Sequence, residues 1–223
     1  MKVLVACECS GRVRDAFIAL GHDAMSCDLH PTETPGPHYQ GSVWDVIDAC
    51  WDLMIAHQPC THLCVSGARH FEAKKLDGRQ AVGASFFMRL AKCDIPKIAI
   101  ENPVGIMSSL YRKPDQIIQP WQFGDEAQKT TCLWLKGLAK LVPSVIVGKG
   151  EFYVSPQGCK MPSWYGDAVG SDGKKLAYGS DEIKKLRSKT FPGIARAMAD
   201  NWGGNGMFSV DKTIEAVPME LAL

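Results

Sequence analysis

Apolar positions along this chain alternate between unbroken runs and helical stripes. Residues 2–7, KVLVAC, form a run rich in β-branched side chains and predict a strand buried on both faces. GRVRDAFIALGHD follows, with Val13, Ala16, Phe17 and Leu20 at helical spacing and Gly21 where a helix would stop. DAMSCD, ending at Asp28, predicts a second strand, and LHPTETPGPHYQG, with three prolines, predicts a loop. WDLMIAHQP and PKIAIEN read as further strands. The segment between them, GRQAVGASFFMRLAKC, carries Ala81, Val82, Phe86, Phe87, Leu90 and Cys93 on a broad apolar helical face. KTTCLWLKG is a later strand of alternating character, in which Trp134 reads as core. Strands separated by helices predict an α/β fold, a doubly wound and mostly parallel sheet covered on both faces.

After Pro143 the texture becomes Gly-, Ser- and aromatic-rich, without a long periodic helix, which predicts a small inserted lobe over 144–185. Ser180 is placed to cap a helix whose first turn holds Asp181 and Glu182. In TFPGIARAMADNW the stripe Phe191, Ile194, Ala195, Met198, Ala199 and Trp202 must dock back on the sheet, with Pro192 at the helix start. Residues 1–143 and 186–205 are therefore expected to form the main body, and 206–223 a tail.

Composition is that of an ordinary globular chain, 46% apolar and 22% charged, with a net charge of +1. No general attraction to polyanions follows, though residues 145–190 hold eight Lys/Arg against five Asp/Glu, an excess of three. No apolar run approaches the roughly 18 residues of a membrane span, and the opening residues turn polar too early for a signal peptide. Nine cysteines without such a signal suit free thiols in a reducing, cytoplasmic setting. Cys60, His62 and Cys64 alternate by two but lack an obvious fourth ligand, so no metal is expected.

Candidate chemistry gathers where strands end, because ligands of open α/β sheets sit beyond the carboxyl ends of their strands. Asp28 ends the second strand, where a ribose-binding carboxylate sits in nucleotide-binding sheets, although Asp also forms turns there. Glu101 follows KIAI directly and either caps its loop or works in a partly dry site, where burial raises a carboxyl pKa. Cys60 follows an apolar strand and Pro59. A thiol and a carboxyl on neighbouring strand ends suit covalent attack on an electron-poor ring, the acid neutralising charge on the ring nitrogen. His62 and His70 read as loop histidines. Trp164 and Tyr165 are the better base-stacking candidates, ahead of Trp121, and the Lys184 and Lys185 to Lys189 cluster reads as a solvated helix face.

These residues carry a resemblance. DLMIAHQPCTHLCVSG is similar to motif IV of the cytosine-C5 DNA methyltransferases, IAIENP to motif VI, VACECSGRVRDAFIALGHD to motif I and FPGIARAMADNW to motif X. The match covers roughly residues 1–137 and 188–203, and the wording is closest to short, phage-type members. The resemblance implies a methyltransferase-like sheet, DNA as partner, no obligatory protein partner, and S-adenosyl-L-methionine or a carboxylated derivative as donor. It implies that Cys60 adds to C6 of a flipped-out cytosine, that Glu101 holds N3 and the amino group, and that Asn102 positions the Cys60 loop. Asp28 would hold the donor ribose, Glu8, Ser10 and Gly11 its amino-acid end, Ser42 and Asp45 its adenine end, with Pro59 completing the set. Cys9 replaces a motif I glycine, and Ser42 replaces the usual motif III acid. QKTTC lacks both arginines of motif VIII, which leaves Gln128 with Lys129 or Arg69 to contact the target. A larger transferred group, a free pyrimidine nucleotide as substrate, and a non-catalytic binding module stay open as alternatives.

Overall fold

The structure is a computed structural model that describes residues 1–155, 158–170 and 172–204; the predicted tail lies outside them. In chain order the elements are β1 (Lys2–Ala6), α1 (Arg12–Ala19), β2 (Asp23–Asp28), β3 (His38–Gln40), β4 (Leu53–Ala56), α2 (Phe71–Leu76), α3 (Arg79–Ala91) and β5 (Lys97–Asn102). There follow α4 (Met107–Leu110), β6 (Gln116–Ile118), β7 (Thr131–Lys136), β8 (Phe152–Val154), β9 (Lys160–Pro162), α5 (Ser163–Gly166), α6 (Asp181–Ser188) and α7 (Pro192–Trp202).

Seven strands form one sheet in the order β3-β2-β1-β4-β5-β7-β6. The pairs from β3 through β5 are parallel, whereas β7 runs antiparallel to both β5 and β6. This is the doubly wound, mostly parallel α/β fold expected. Because strand side chains alternate between faces, the sheet builds two cores. Val3, Val5, Leu53, Ile55, Ala99 and Leu133 pack under α1 and α7, whose Val13, Phe17, Ile194, Ala195, Met198 and Trp202 are buried. Leu4, Ala6, Met54, Ala56, Ile98 and Ile100 meet Phe87 and Leu90 of α3, with Leu63, Met107 and Trp134.

Three expectations are corrected. The proline-rich stretch after Asp28 ends in β3, an edge strand of three residues on β2, too short to show a period. QII, also three residues, forms β6 at the opposite edge. The apolar face of α3 is narrower than the sequence suggests: Val82 is 71% exposed, and the buried apolar positions are Phe87 and Leu90. Residues 152–154 and 160–162 form a separate two-stranded hairpin, followed by the single turn of α5. Ser180 caps α6 by accepting the Ile183 amide. Lys185 and Lys189, read from sequence as part of a solvated face, instead pair with Glu33.

Candidate active site

Strands β1, β4 and β5 are parallel neighbours, so their C-terminal ends deliver Glu8, the segment 57–60 and Glu101 to one edge. Alternation then sorts the side chains. Glu101 shares the α7-facing side of β5 with Ala99, whereas Asn102 is turned to the other side and is 1% exposed. His57 extends β4 by one rung, its amide donating to the Ala6 carbonyl at 2.9 Å. Its Nδ1 lies 3.3 Å from Glu101 Oε2, with the side chains 6% and 13% exposed. Lys129 enters from the turn before β7, which the antiparallel register carries past the end of β5. Its Nζ donates to the Lys189 carbonyl at 3.0 Å. Glu101 and Lys129 line one small hollow with Thr131, Thr190, Phe191, Ile194 and Met198. Burial pushes the Glu101 carboxyl up, but the His57 hydrogen bond and the charges of Lys129 and His57 outweigh it and hold the group below its ordinary value.

The Cys60 loop is built as one tight turn. The amides of Leu63 and Cys64 both donate to the Cys60 carbonyl, at 2.9 and 3.0 Å. The turn is stitched to the segment after β5 by Val65 N to Val104 O and Ile106 N to Leu63 O, each 2.9 Å. Lys74, 7% exposed, donates to the Thr61 carbonyl at 2.7 Å, and Gln80 reaches the His62 carbonyl at 3.4 Å. The amide group of Asn102 makes no hydrogen bond among the described residues, so the loop is held by these contacts. The pKa of the half-buried Cys60 thiol is pushed well up by its neighbour Cys64, by burial and by the negative charge of Glu101, opposed by Lys129. Cys64 moves the other way, down to about 5. Its neighbours Cys60 and, against the cost of burial, Ser66 and Gly67 favour the thiolate, and its sulfur lies 2.9 Å from the Ser66 hydroxyl oxygen.

Beside this pair lies the predicted donor region. Cys7 leaves β1 with a left-handed φ of 57°, and Gly11 caps α1 at φ 76°, the conformation glycine adopts without strain. Glu8 is 6% exposed; its Oε1 accepts from the Ser10 hydroxyl and, at 3.2 Å, from the Arg12 amide. Its Oε2 is buried with no partner. Asp28 accepts the His30 amide through Oδ1 at 2.9 Å, and its charge reaches the thiols of Cys7, Cys9 and Cys27. Residues 29–37 strap this turn, Glu33 N donating to Cys9 O at 2.8 Å. Ser42 and Asp45 form a reciprocal cap on the short 3-10 turn Val43–Asp45, and Asp45 also accepts from the Tyr39 hydroxyl at 3.2 Å. Pro59 is exposed next to Cys60.

Arg69 and Gln128, the remaining predicted contacts, have no hydrogen bond to Cys60 or Glu101 among the described residues. Arg69 is exposed and donates to the His70 ring at 2.9 Å. Gln128 is half-buried and accepts the Trp164 indole N–H through its carbonyl at 3.2 Å. Trp164 packs edge-on against Tyr165 and Phe191. No group of three or more metal-ligating side chains occurs among the described residues, and no described helix is long and apolar enough to cross a membrane.

Buried polar atoms without partners are rare and costly. Among the described residues eight side-chain atoms are of this kind, and seven belong to Glu8, His57, Gln58, His62 and Asn102, at or just past the ends of β1, β4 and β5; the eighth is on His22. Such a concentration is where the polar groups of a ligand would find partners. Sequence reasoning missed His57, Gln58 and Lys74, and weighed Cys64 only for its metal-like spacing. The available signal was AHQPC, in which an apolar strand turns polar two residues before its proline.

No family model and no curated protein matches this chain. Among solved structures it is similar to a proposed DNA modification methyltransferase encoded within an E. coli prophage, at a TM-score of 0.45 and 15% identity. The likeness covers 66% of this chain and 52% of that one, so the chain spans about half the length of the protein it matches.

Proposed function

We propose that this protein modifies cytosine at C5 in DNA, transferring a methyl or modified methyl group from S-adenosyl-L-methionine or a carboxylated derivative. One observation carries the reading. Cys60 and Glu101 stand at the ends of two adjacent parallel strands, within a cluster of buried polar atoms that have no partner among the described residues. The donor region also suits the cofactor, since the unpartnered Glu8 Oε2 is a fit for its ammonium and Asp28 for its ribose. Gly11, Ser10, Ser42, Asp45 and Pro59 complete the proposed cradle. Bound there, S-adenosyl-L-methionine supplies an electrophilic one-carbon group.

The chain's own residues do the rest. Cys60 sulfur bonds to C6 of the pyrimidine, and the electron pair of the C5–C6 double bond moves toward C5 and the N3 side of the ring. Glu101, oriented by His57, accepts from the exocyclic amino group, and Lys129 offsets the charge developing beside it. In this reading Lys129 fills the place of the missing arginine with one ammonium in place of a forked donor. Loss of the C5 proton and cleavage of the C6–S bond then release the product and free Cys60. The target must leave the DNA stack, at a cost of a few kcal/mol. Residues 144–185 form the target-recognition part of the proposed arrangement, where Lys160 lies over Phe152 and Lys175 over Tyr153, at 4.3 and 3.3 Å from the ring centroids.

The test is mass spectrometry of nucleosides from DNA incubated with protein and donor. A modified deoxycytidine is expected, and Cys60→Ala should abolish it. DNA containing 5-fluorocytosine, whose C5 cannot release a proton, should accumulate as a covalent adduct on Cys60. Modification of dCMP alone would move the reading to a free nucleotide. No product and no adduct would leave a binding module.

A further inference from the structure

Strands β4 and β5 run parallel with Ala56 opposite Ile100. One step further along that register His57 stands opposite Glu101, and the two side chains fall on the same side of the sheet. The His57 backbone is fixed there, because its amide donates to the Ala6 carbonyl of β1 at 2.9 Å. Its side chain is 6% exposed, and Nδ1 lies 3.3 Å from Glu101 Oε2. In either charge state the ring keeps a proton on Nδ1, since a bare nitrogen lone pair would face the lone pairs of a carboxylate. Nε2 is buried without a partner among the described residues, which leaves Glu101 as the group the ring serves. A buried donor so placed favours the ionised carboxyl. Lys129, before β7, acts on Glu101 in the same direction. The other titratable groups in electrostatic reach of Glu101 are the thiols of Cys60, past β4, and Cys132, of β7. From α7 only Ile194 and Met198 line the hollow.

An ionised carboxyl only accepts hydrogen bonds, whereas a protonated one also donates. Cytosine and uracil differ at the ring edge that such a group meets. Cytosine presents an amino donor at C4, and a second donor at N3 once the ring takes up a proton during thiol addition. Uracil presents an oxygen acceptor at C4. A carboxylate therefore pairs with the first base and opposes the second, while a carboxylic acid donates to the uracil oxygen and accepts from its N3–H. We propose that His57 is a specificity-determining residue: by donating from Nδ1 to Glu101 it keeps that group an acceptor, so that the site takes cytosine and refuses uracil. This rests on the C5-modification reading and says how that site tells its base from the deaminated one. His57 acts through Glu101 and is a positioning residue. Uracil is refused because its oxygen and the carboxylate would both be buried without a donor between them.

In the free, full-length protein, without DNA or donor, the carbon-13 signal of the Glu101 carboxyl can be followed against pH, assigned by its absence from Glu101→Gln. It should titrate below its ordinary value in the wild type and move up in His57→Leu, which fills similar space and cannot donate. The choice of base is then read on a long natural DNA strand, before and after bisulfite conversion of its cytosines to uracil, annealed in both cases to the same complementary strand. A donor deuterated in the group it transfers lets mass spectrometry count labelled C5-modified deoxycytidine and deoxyuridine. The wild type should favour cytosine by at least about a hundredfold. In His57→Leu the ratio should fall by about tenfold, and further as pH is lowered from about 8 to about 6 and Glu101 takes up a proton. Should His57→Leu fail to fold, His57→Gln keeps an amide donor without the ring and should give a smaller shift in the same direction. A wild type that takes uracil as readily as cytosine overturns the proposal. So does an equal loss of both products in the variants at every pH, which is what a merely structural ring would give. No product from either DNA in the wild type would sink the C5 reading, and with it the choice of base, even if the titration shows His57 holding the carboxylate. Cytosine product with an unchanged ratio in both variants would sink the role of His57 alone.

Discussion

Arg14 offers a sharp test of how the donor turn is held. The side chain lies on α1 and is fully buried, with its guanidinium enclosed by the 29–37 strap. It makes six hydrogen bonds. Nε donates to Asp15 at 2.7 Å, Nη1 to the hydroxyls of Ser26 and Thr32, and Nη2 to the hydroxyl and carbonyl of Thr34 and the carbonyl of Pro35. Arg14→Met keeps most of the apolar stem and deletes every donor. Three hydroxyls and two carbonyls then lose a partner in the interior, and Asp15 loses its cation. Breaking a buried, fully bonded charge in this way costs about 3–5 kcal/mol. With a urea slope of about 2 kcal/mol per molar, the unfolding midpoint should drop by about 1.5–2.5 M, read by far-ultraviolet dichroism. Arg14→Lys should also destabilise, because one ammonium cannot reproduce a planar fork. Arg196→Met is the control, since that side chain is 84% exposed and its contact with Asp200 is 3.7 Å. A midpoint for Arg14→Met within about 0.5 M of the wild type would refute the claim that the guanidinium holds the strap.

Two further outcomes follow from the site. Replacing His57 by Gln removes the charge that helps hold Glu101 below its ordinary value, so burial should raise the carboxyl. A depressed folded-state carboxyl contributes stability that is present above the ordinary value of 4.5 and lost as pH falls through the folded value. The variant should therefore lose stability relative to wild type at pH 5, and the gap should narrow toward pH 3 as Glu101 takes up its proton; an equal gap at both pH values in urea unfolding would contradict this. Gly105→Ala would place a methyl group into the Leu63 carbonyl, where the loops carrying Cys60 and Glu101 are stitched together. Loss of 5-fluorocytosine adduct formation with a retained far-ultraviolet spectrum is expected, and an unchanged adduct yield would argue against that junction.

Local patterning was enough to read much of this protein. An apolar run, KVLVA or LMIA, makes a strand wherever it stands, and the stripe from Ile194 to Trp202 needs only a surface to cover. Cys60 and Glu101 stood out for the same reason, each being a polar residue at or just past the end of such a run. The strands of three residues, β3 and β6, were not, because a period cannot be seen in so few positions and pairing alone creates them. The reversed direction of β7 is equally a matter of its partners. Arg14 looks like a solvated helix residue until the strap folds over it. His57 looks like a strand residue until β5 brings a carboxyl alongside. Sequence therefore determined which segments bury apolar surface and which strand tips end in polar side chains, since periodicity and side-chain type are properties of adjacent residues. Which charged and polar groups meet was decided only by tertiary structure, because those interactions depend on distance across strands and vanish when the chain is extended.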